Sequence, residues 1–511
     1  MVVMTKKRED RENRKRSSGE DICDLDNGVV SPCLSFRDVT VENIKNVISN
    51  SRYAQLLLGL TLLGFFLRFY HLGFNSLWLD EASTYTFASM SLPGIWQATV
   101  GGEFNPPLFY WMEHMMLSLG NNETILRFIP ALLGGLTIPL VYLVGKEFVD
   151  RNVGIIAAAA CAFSPFLIYY SQEARAYSVM LFFVIFAMIF FLRALKTDDI
   201  KDWVLFGVLS ALAFWSHFYA LVIIGALVLY ALAVKFPSLR TDIGSIKPMI
   251  IAGAVFVVIC LPLILVTIQL FAKRTASAPT YGIQGLGIIS ETFQQISGFS
   301  DIVMILFLIL FIIGICQAFL IDKNKGLFLV SLTVLTFVIS YFLSYKIPME
   351  PRYLIFLAPI VFIGIGLSYK PVWKLFHNRG VVYGLMVLVV ILGTPVLVNM
   401  YSGYTKDDWR GFAGQVQLAT HPGDFVVLVP GYIYQPFNYY YSNSSDQTFE
   451  YTADTAADLG GIAARKTNNT IYYVITGDIM SANPNGDAIA WLNNNTRPYG
   501  PESTIALRVS A

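Results

Sequence analysis

Residues 76–84 read SLWLDEAST, which sets two carboxylates, Asp80 and Glu81, side by side just after a long apolar segment. Other ionisable groups recur in the same kind of place, at the ends of apolar runs and beside aromatic residues or proline: Glu103, Arg127, Glu173, Arg175, Lys346, Glu350 and Arg352. A charge carried into a bilayer costs on the order of several kcal/mol unless it is paired or hydrated. A mixed set of this kind suits a substrate bearing both phosphate and hydroxyls. Arginine holds phosphate through paired hydrogen bonds, a carboxylate takes the proton of a hydroxyl nucleophile, and apolar walls admit a lipid tail. Interface anchors and loop-pinning salt bridges use the same residue types. Adjacent side chains diverge in helical or extended backbone, so Asp80 and Glu81 read poorly as a paired acid and base.

The elements that must position these groups follow from composition. Of 511 residues, 55% are hydrophobic and 14% charged, against about 25% charged in soluble domains. The chain therefore reads as a polytopic α-helical membrane protein. A crossing helix needs roughly 20 apolar residues. Candidate spans lie at 53–70, 125–145, 153–170, 176–194, 203–217, 219–235, 248–271, 302–321, 327–345, 353–369 and 381–400, about eleven in all. The stretch PPLFYWMEHMMLSLG at 106–120 is shorter and carries Glu113 and His114, so it reads as a helix lying along the surface.

Sidedness follows from charge. The head MTKKREDRENRKRSS is basic and polar, and residues 1–50 read as a disordered cytosolic arm that sets topology rather than binding nucleic acid. With this end inside, KEFVDRN, RALKTDDIKD, KFPSLRTDIGSIK, DKNKG and KPVWKLFHNRG all become cytoplasmic loops rich in Lys and Arg. The N-x-S/T sequons at Asn122, Asn443, Asn468 and Asn494 all become external. The chain then divides into the arm, a membrane domain over 51–400 and an extracytoplasmic tail over 401–511. In the tail, DFVVLVP, TIYYVITGD and TIALRVS have strand character and DAIAWLNN fits a helix, which predicts a small α/β domain. None of the five cysteines, at 23, 33, 161, 260 and 316, lies in that tail, and none has metal-ligand spacing.

Five segments in order carry a resemblance: SLWLDEAST, EFNPPLFYWMEHMMLSLGNNETILRFIPALLGGLTIPLVYLVGKEF, SPFLIYYSQEARAYSVMLFF, EPRYLIFLAPI and KDDWRGFAGQVQLATHPGDFVVLV. Over about residues 55–440 the chain resembles membrane glycosyltransferases of the C-type fold, and among them the branch related to dolichyl-phosphate-mannose–protein mannosyltransferases. The resemblance implies a polyprenyl-phosphate-linked monosaccharide donor and transfer with inversion to an acceptor hydroxyl at the outer face. It also implies that the Asp of the first-loop pair, here Asp80, is the catalytic base, with Glu81 holding the acceptor or orienting the loop. A leaving phosphate departs as an anion and needs cations more than a general acid, unlike the two-carboxylate chemistry of glycosidases. Arg352, with Lys346 behind it, is the preferred phosphate ligand. Arg127 is suited to phosphate binding or loop anchoring, Glu173 and Arg175 to shaping the cavity or touching substrate, and Tyr170 with Tyr169 and Tyr177 to stacking on a sugar. Relatives often carry His before the Pro pair where this chain has Asn105, which can donate a hydrogen bond but carries no charge.

The expected function is therefore inverting transfer of a mannose-like hexose to a glycan, lipid or protein acceptor, in a multi-pass cell-membrane protein contacting membrane lipids and no nucleic acid. The alternatives are a flippase for lipid-linked sugars and an enzyme that moves a whole oligosaccharide. No cofactor is required by this chemistry, although a divalent cation beside the Asp-Glu pair stays open.

Overall fold

A computed structural model of the chain describes residues 48–511 apart from 240–242, 379, 442–447, 467, 478, 501–503 and 511, together with residues 25–26 and 29–30. Most of the basic arm, Cys23, Cys33 and the sequon at Asn443 therefore lie outside the described residues. Two compact units are present, Met1–Leu63 and Gly64–Ala511. In the first, Leu25–Asp26 pairs antiparallel with Val29–Val30, and the helix Arg52–Phe69 begins.

All eleven apolar segments form helices. Seven described helices are long and apolar enough to cross a membrane: Phe128–Phe148, Tyr177–Thr197, Ala220–Pro237, Gly244–Arg274, Asp301–Ile321, Lys323–Leu343 and Gly380–Ser402. An eighth crossing is possible by length for the pair Arg151–Phe163 and Pro165–Ser171, which bends by 57°. Of the remainder, Arg52–Phe69 has 18 residues, Ile200–Ser216 17 and Leu357–Leu367 11. The chain is a multi-pass membrane protein.

Local chemistry explains where these helices begin and break. Asp150, Ser164, Asp199, Ser300 and Asp322 each cap a helix by accepting a backbone N–H of its first turn. The 57° bend falls at Ser164-Pro165, where proline has no N–H for the carbonyl four residues back, that of Cys161. A buried guanidinium replaces it. Arg68 donates to the carbonyls of Cys161 and Ala162 at 3.1 and 3.3 Å, and to Gly64 O at 3.0 Å. Elsewhere, close helix approach depends on small residues, as is general in membranes. A Cβ added at Gly314 would lie 1.8 Å from the Gly364 carbonyl oxygen, so Asp301–Ile321 packs on Leu357–Leu367 nearly backbone to backbone.

The tail forms a five-stranded sheet in the order Phe449–Thr452, Phe425–Val429, Ile471–Thr476, Ile505–Ser510, Thr496–Pro498. The first three strands are parallel and the last two join antiparallel. Each face of Phe425–Val429 has its own core. Val426 and Leu428 pack with Trp409, Val416 and Phe437 on one side, and Phe425, Val427 and Val429 with Leu459, Ile462 and Leu492 on the other. Burial on both faces explains why that strand reads as an unbroken apolar run.

Candidate active site

The helix Leu79–Ala88 places the first-loop pair in its opening turn. Asp80 and Glu81 sit where carboxylates are favoured by the helix dipole, yet they point to different surroundings. Glu81 is fully buried. It takes a forked pair of bonds from Arg127 at 2.7 Å each, a third from the Ala174 N–H at 2.8 Å and a fourth from Lys406 at 3.1 Å. The rest of the Arg127 guanidinium is spent on the carbonyls of Leu72, Asn75 and Ser76 at 2.8–3.0 Å. All five of its donor hydrogens are thereby committed to the first loop. Burial alone would push the Glu81 carboxyl up, but Arg127, Lys406 and the Ala174 amide outweigh it and hold it well below the usual range.

The Asp80 carboxylate is partly exposed and stands between two guanidiniums. Its Oδ2 lies 3.7 Å from Arg175 and 4.0 Å from Arg352. These are charge contacts longer than hydrogen bonds. Arg175 is fixed by the Asp80 carbonyl at 3.1 Å, and Arg352 lies over the rings of Trp78, Tyr177 and Tyr353 at 5.5–6.0 Å.

Two cavities meet at Arg352. One, of about 520 Å³, is lined by Asp80, Asn105, Arg175 and Arg274 together with apolar groups that include Leu270, Phe271 and Phe218. The other, of about 670 Å³, is lined by Trp78, Tyr169, Tyr170, Glu173 and residues 404–408 of the segment leading to the outer domain. Glu173 is buried, with one oxygen 3.3 Å from Lys406 and the other unpartnered. Burial raises its pKa, helped by the charges of Glu81 and Asp80 and opposed by Lys406. Asn105 donates to Tyr110 at 3.3 Å and Glu103 at 3.4 Å, and Tyr110 donates to Glu103 at 2.7 Å. Tyr170 is buried and packs edge-on against Tyr169 and Tyr177. Lys346 is exposed and lines neither cavity, because it follows the end of helix Lys323–Leu343 and points away from the site.

Two cations in the site escape sequence reasoning. Arg274, at the last position of helix Lys247–Arg274, stacks on Phe104 at 4.4 Å and donates to the carbonyls of Gly102 and Glu103 at 2.9 and 2.8 Å. Its signal is a Lys-Arg pair in the last turn of a long apolar helix. Lys406 had no signal, since nothing local tells a linker lysine that it will be buried. Among the described residues no three His, Cys, Asp or Glu side chains gather to hold a metal. A divalent cation fits poorly beside Asp80, whose neighbours are already two guanidiniums.

This arrangement of membrane helices with a small C-terminal α/β domain is the C-type glycosyltransferase fold. The chain resembles the family described as dolichyl-phosphate-mannose-protein mannosyltransferase, whose model matches residues 105–266. It is similar in structure to ArnT from Cupriavidus metallidurans bound to undecaprenyl phosphate, with a TM-score of 0.56 and 12% identity over 90% of this chain and 98% of that one. It is also similar to the oligosaccharyltransferase AglB from Archaeoglobus fulgidus, in complex with an inhibitory peptide and a dolichol-phosphate. There the TM-score is 0.52 and identity 12%, over 90% of this chain and 74% of that one. No curated protein matches the sequence at a significant level.

Proposed function

We propose that this protein transfers a sugar from a polyprenyl-phosphate-linked monosaccharide to an acceptor hydroxyl at the extracytoplasmic face, with inversion at the anomeric carbon. The observation that carries the reading is the position of Asp80 in a half-apolar cavity between two guanidiniums, one of which, Arg352, also lines the neighbouring cavity. The half-apolar cavity takes the donor, its Leu270, Phe271 and Phe218 surfaces against the first isoprene units. Arg274, Arg175 and Arg352 take the phosphate. Bound lipid phosphates in the two similar structures support that choice of donor.

In the transfer step the Asp80 carboxylate accepts the proton of the acceptor hydroxyl. The oxygen attacks the anomeric carbon from the face opposite the phosphate, and the bond from that carbon to the phosphate oxygen breaks. The lipid phosphate leaves with the electron pair, and its added negative charge falls among the guanidiniums. Glu81 and Arg127 position the base and do not touch substrate. Asn105 orients Glu103 and Tyr110 at the mouth of the donor cavity, while Arg274 carries the charge that asparagine lacks.

The test is Asp80→Asn in the full chain reconstituted in nanodiscs, given polyprenyl-phosphate sugars and assayed for product by mass spectrometry. The expected loss is roughly 10²–10⁴-fold, the usual worth of a positioned base, with the melting temperature unmoved. Transfer at the parent's rate would remove Asp80 from the mechanism. It would leave the flippase reading, which needs the cations and no base.

A further inference from the structure

We propose that the cavity under residues 404–408 is the acceptor subsite, and that the acceptor it takes is a carbohydrate. The inference rests on the transferase reading and goes beyond it by naming the acceptor's chemistry. The two cavities meeting at Arg352 are built differently. The donor side has aliphatic and Phe walls, whereas the other is lined by Trp, Tyr, Thr and charged side chains with no aliphatic residue. A lipid tail has nothing to rest on there.

Charge argues against a phosphorylated acceptor. The lining holds Glu173, Asp407 and Asp408 against Arg352 and Lys406, so cations do not predominate. The lining offers acceptors in the Glu173, Asp407 and Asp408 carboxylates and donors in Arg352, Lys406 and the Thr405 hydroxyl. A hydroxyl both donates and accepts, and a pyranose presents several at once. Its C–H faces match the rings of Trp78, Tyr169 and Tyr404. A volume of about 670 Å³ is that of a small-molecule site rather than an extended cleft.

A polypeptide commonly docks by adding a strand to a sheet edge. Among the described residues the sheet comes closest to this cavity's lining at Thr504, just before Ile505–Ser510, and that strand is paired on both sides. A sugar seated there passes its reactive hydroxyl beside Arg352 to Asp80, so both substrates approach the base from opposite cavities.

The test uses the full chain in nanodiscs with polyprenyl-phosphate-mannose and polyprenyl-phosphate-glucose, offered octyl mannobioside, a Ser/Thr peptide or diacylglycerol. The expected product is sugar on the glycoside. Tyr404 is 57% exposed and stacks on Phe74 at 4.7 Å, so Tyr404→Ala is assayed beside its melting temperature to show that the fold is kept. It should raise the glycoside KM roughly tenfold, the equivalent of one stacking contact, while the donor KM stays within about twofold. Product on the peptide or diacylglycerol, or a glycoside KM indifferent to Tyr404→Ala, overturns this inference alone. Donor left intact with every acceptor overturns the transferase reading and this one with it.

Discussion

Asp80 and Glu81 differ by one methylene and one position, yet the fold separates their tasks. Glu81 meets a guanidinium fork, an ammonium and a backbone amide, which makes it the anchor of the loop. Asp80 meets open space and two guanidiniums beyond bonding distance. The asymmetry predicts different failures. Where Asp80→Asn spares the fold, Arg127→Met leaves Glu81 buried with Lys406 as its sole remaining cation, and breaking such a pair costs about 3–5 kcal/mol. The expected result is a large fall in melting temperature, read by thermal unfolding of the purified protein. Arg127→Lys should restore little of it, because an ammonium cannot make the fork and reach three loop carbonyls together.

Elements differ in how far their polar groups find partners. The bent pair around Ser164 keeps its broken ends satisfied through Arg68 and the Ser164 cap. The helix Pro107–Met116 does not, because Glu113 is fully buried and neither carboxylate oxygen has a partner. Burial pushes that carboxyl well above its ordinary 4.5. The folded state then holds the proton more tightly than the unfolded chain. Below pH 4.5 the acid is protonated in both states and nothing is lost. As pH rises from there toward the folded value, the group removes up to about 1.4 kcal/mol of stability per pH unit. Glu113→Gln carries no such slope. Its melting temperature should gain on the parent's between pH 5 and pH 8, measured in parallel unfolding scans, and a constant difference across that range would contradict the assignment.

Within Gly64–Ala511 the outer domain is bonded to the first loop rather than hung from it. Ser76 donates to Asp408, Tyr440 receives the Leu77 N–H and donates to Glu123, and Arg410 pairs with Glu123. The linker between these contacts supplies Lys406 to Glu81 and Glu173, so docking of the domain and the electrostatics of the site are one event. This scale also carries the question of sides, which we propose runs from a cytoplasmic N-terminus to an external tail. In a background with Cys23, Cys33 and Cys316 replaced by serine, Leu418→Cys on the exposed face of helix Trp409–Ala419 should react with a membrane-impermeant maleimide in intact cells. Leu375→Cys, beside Lys374, should react only after permeabilisation. The reverse pattern would put Asp80 on the cytosolic side and end the proposed mechanism.

Much of this architecture was legible in one dimension because its cause is local. The eleven apolar segments all form helices at the expected places, but only seven of the described helices, or eight with the bent pair, have the length and apolarity that bilayer thickness asks of a span. Strands buried on both faces announce themselves as unbroken apolar runs, as in FVVLV and IYYVIT. Asp80 could be singled out because an acidic pair at a membrane boundary is costly, and the resemblance told which of the two to choose. Tertiary structure alone decided which cations share a cavity with that base. Arg127 and Arg352 are the same residue type, but one spends every donor on the Glu81 carboxylate and three loop carbonyls, while the other leaves its buried Nε without a partner. Lys346 lies six positions from Arg352 and faces elsewhere, while Lys406 arrives from 325 residues beyond Glu81. Hydrogen-bond commitment and long-range approach are properties of the packed chain, and no spacing along the sequence encodes them.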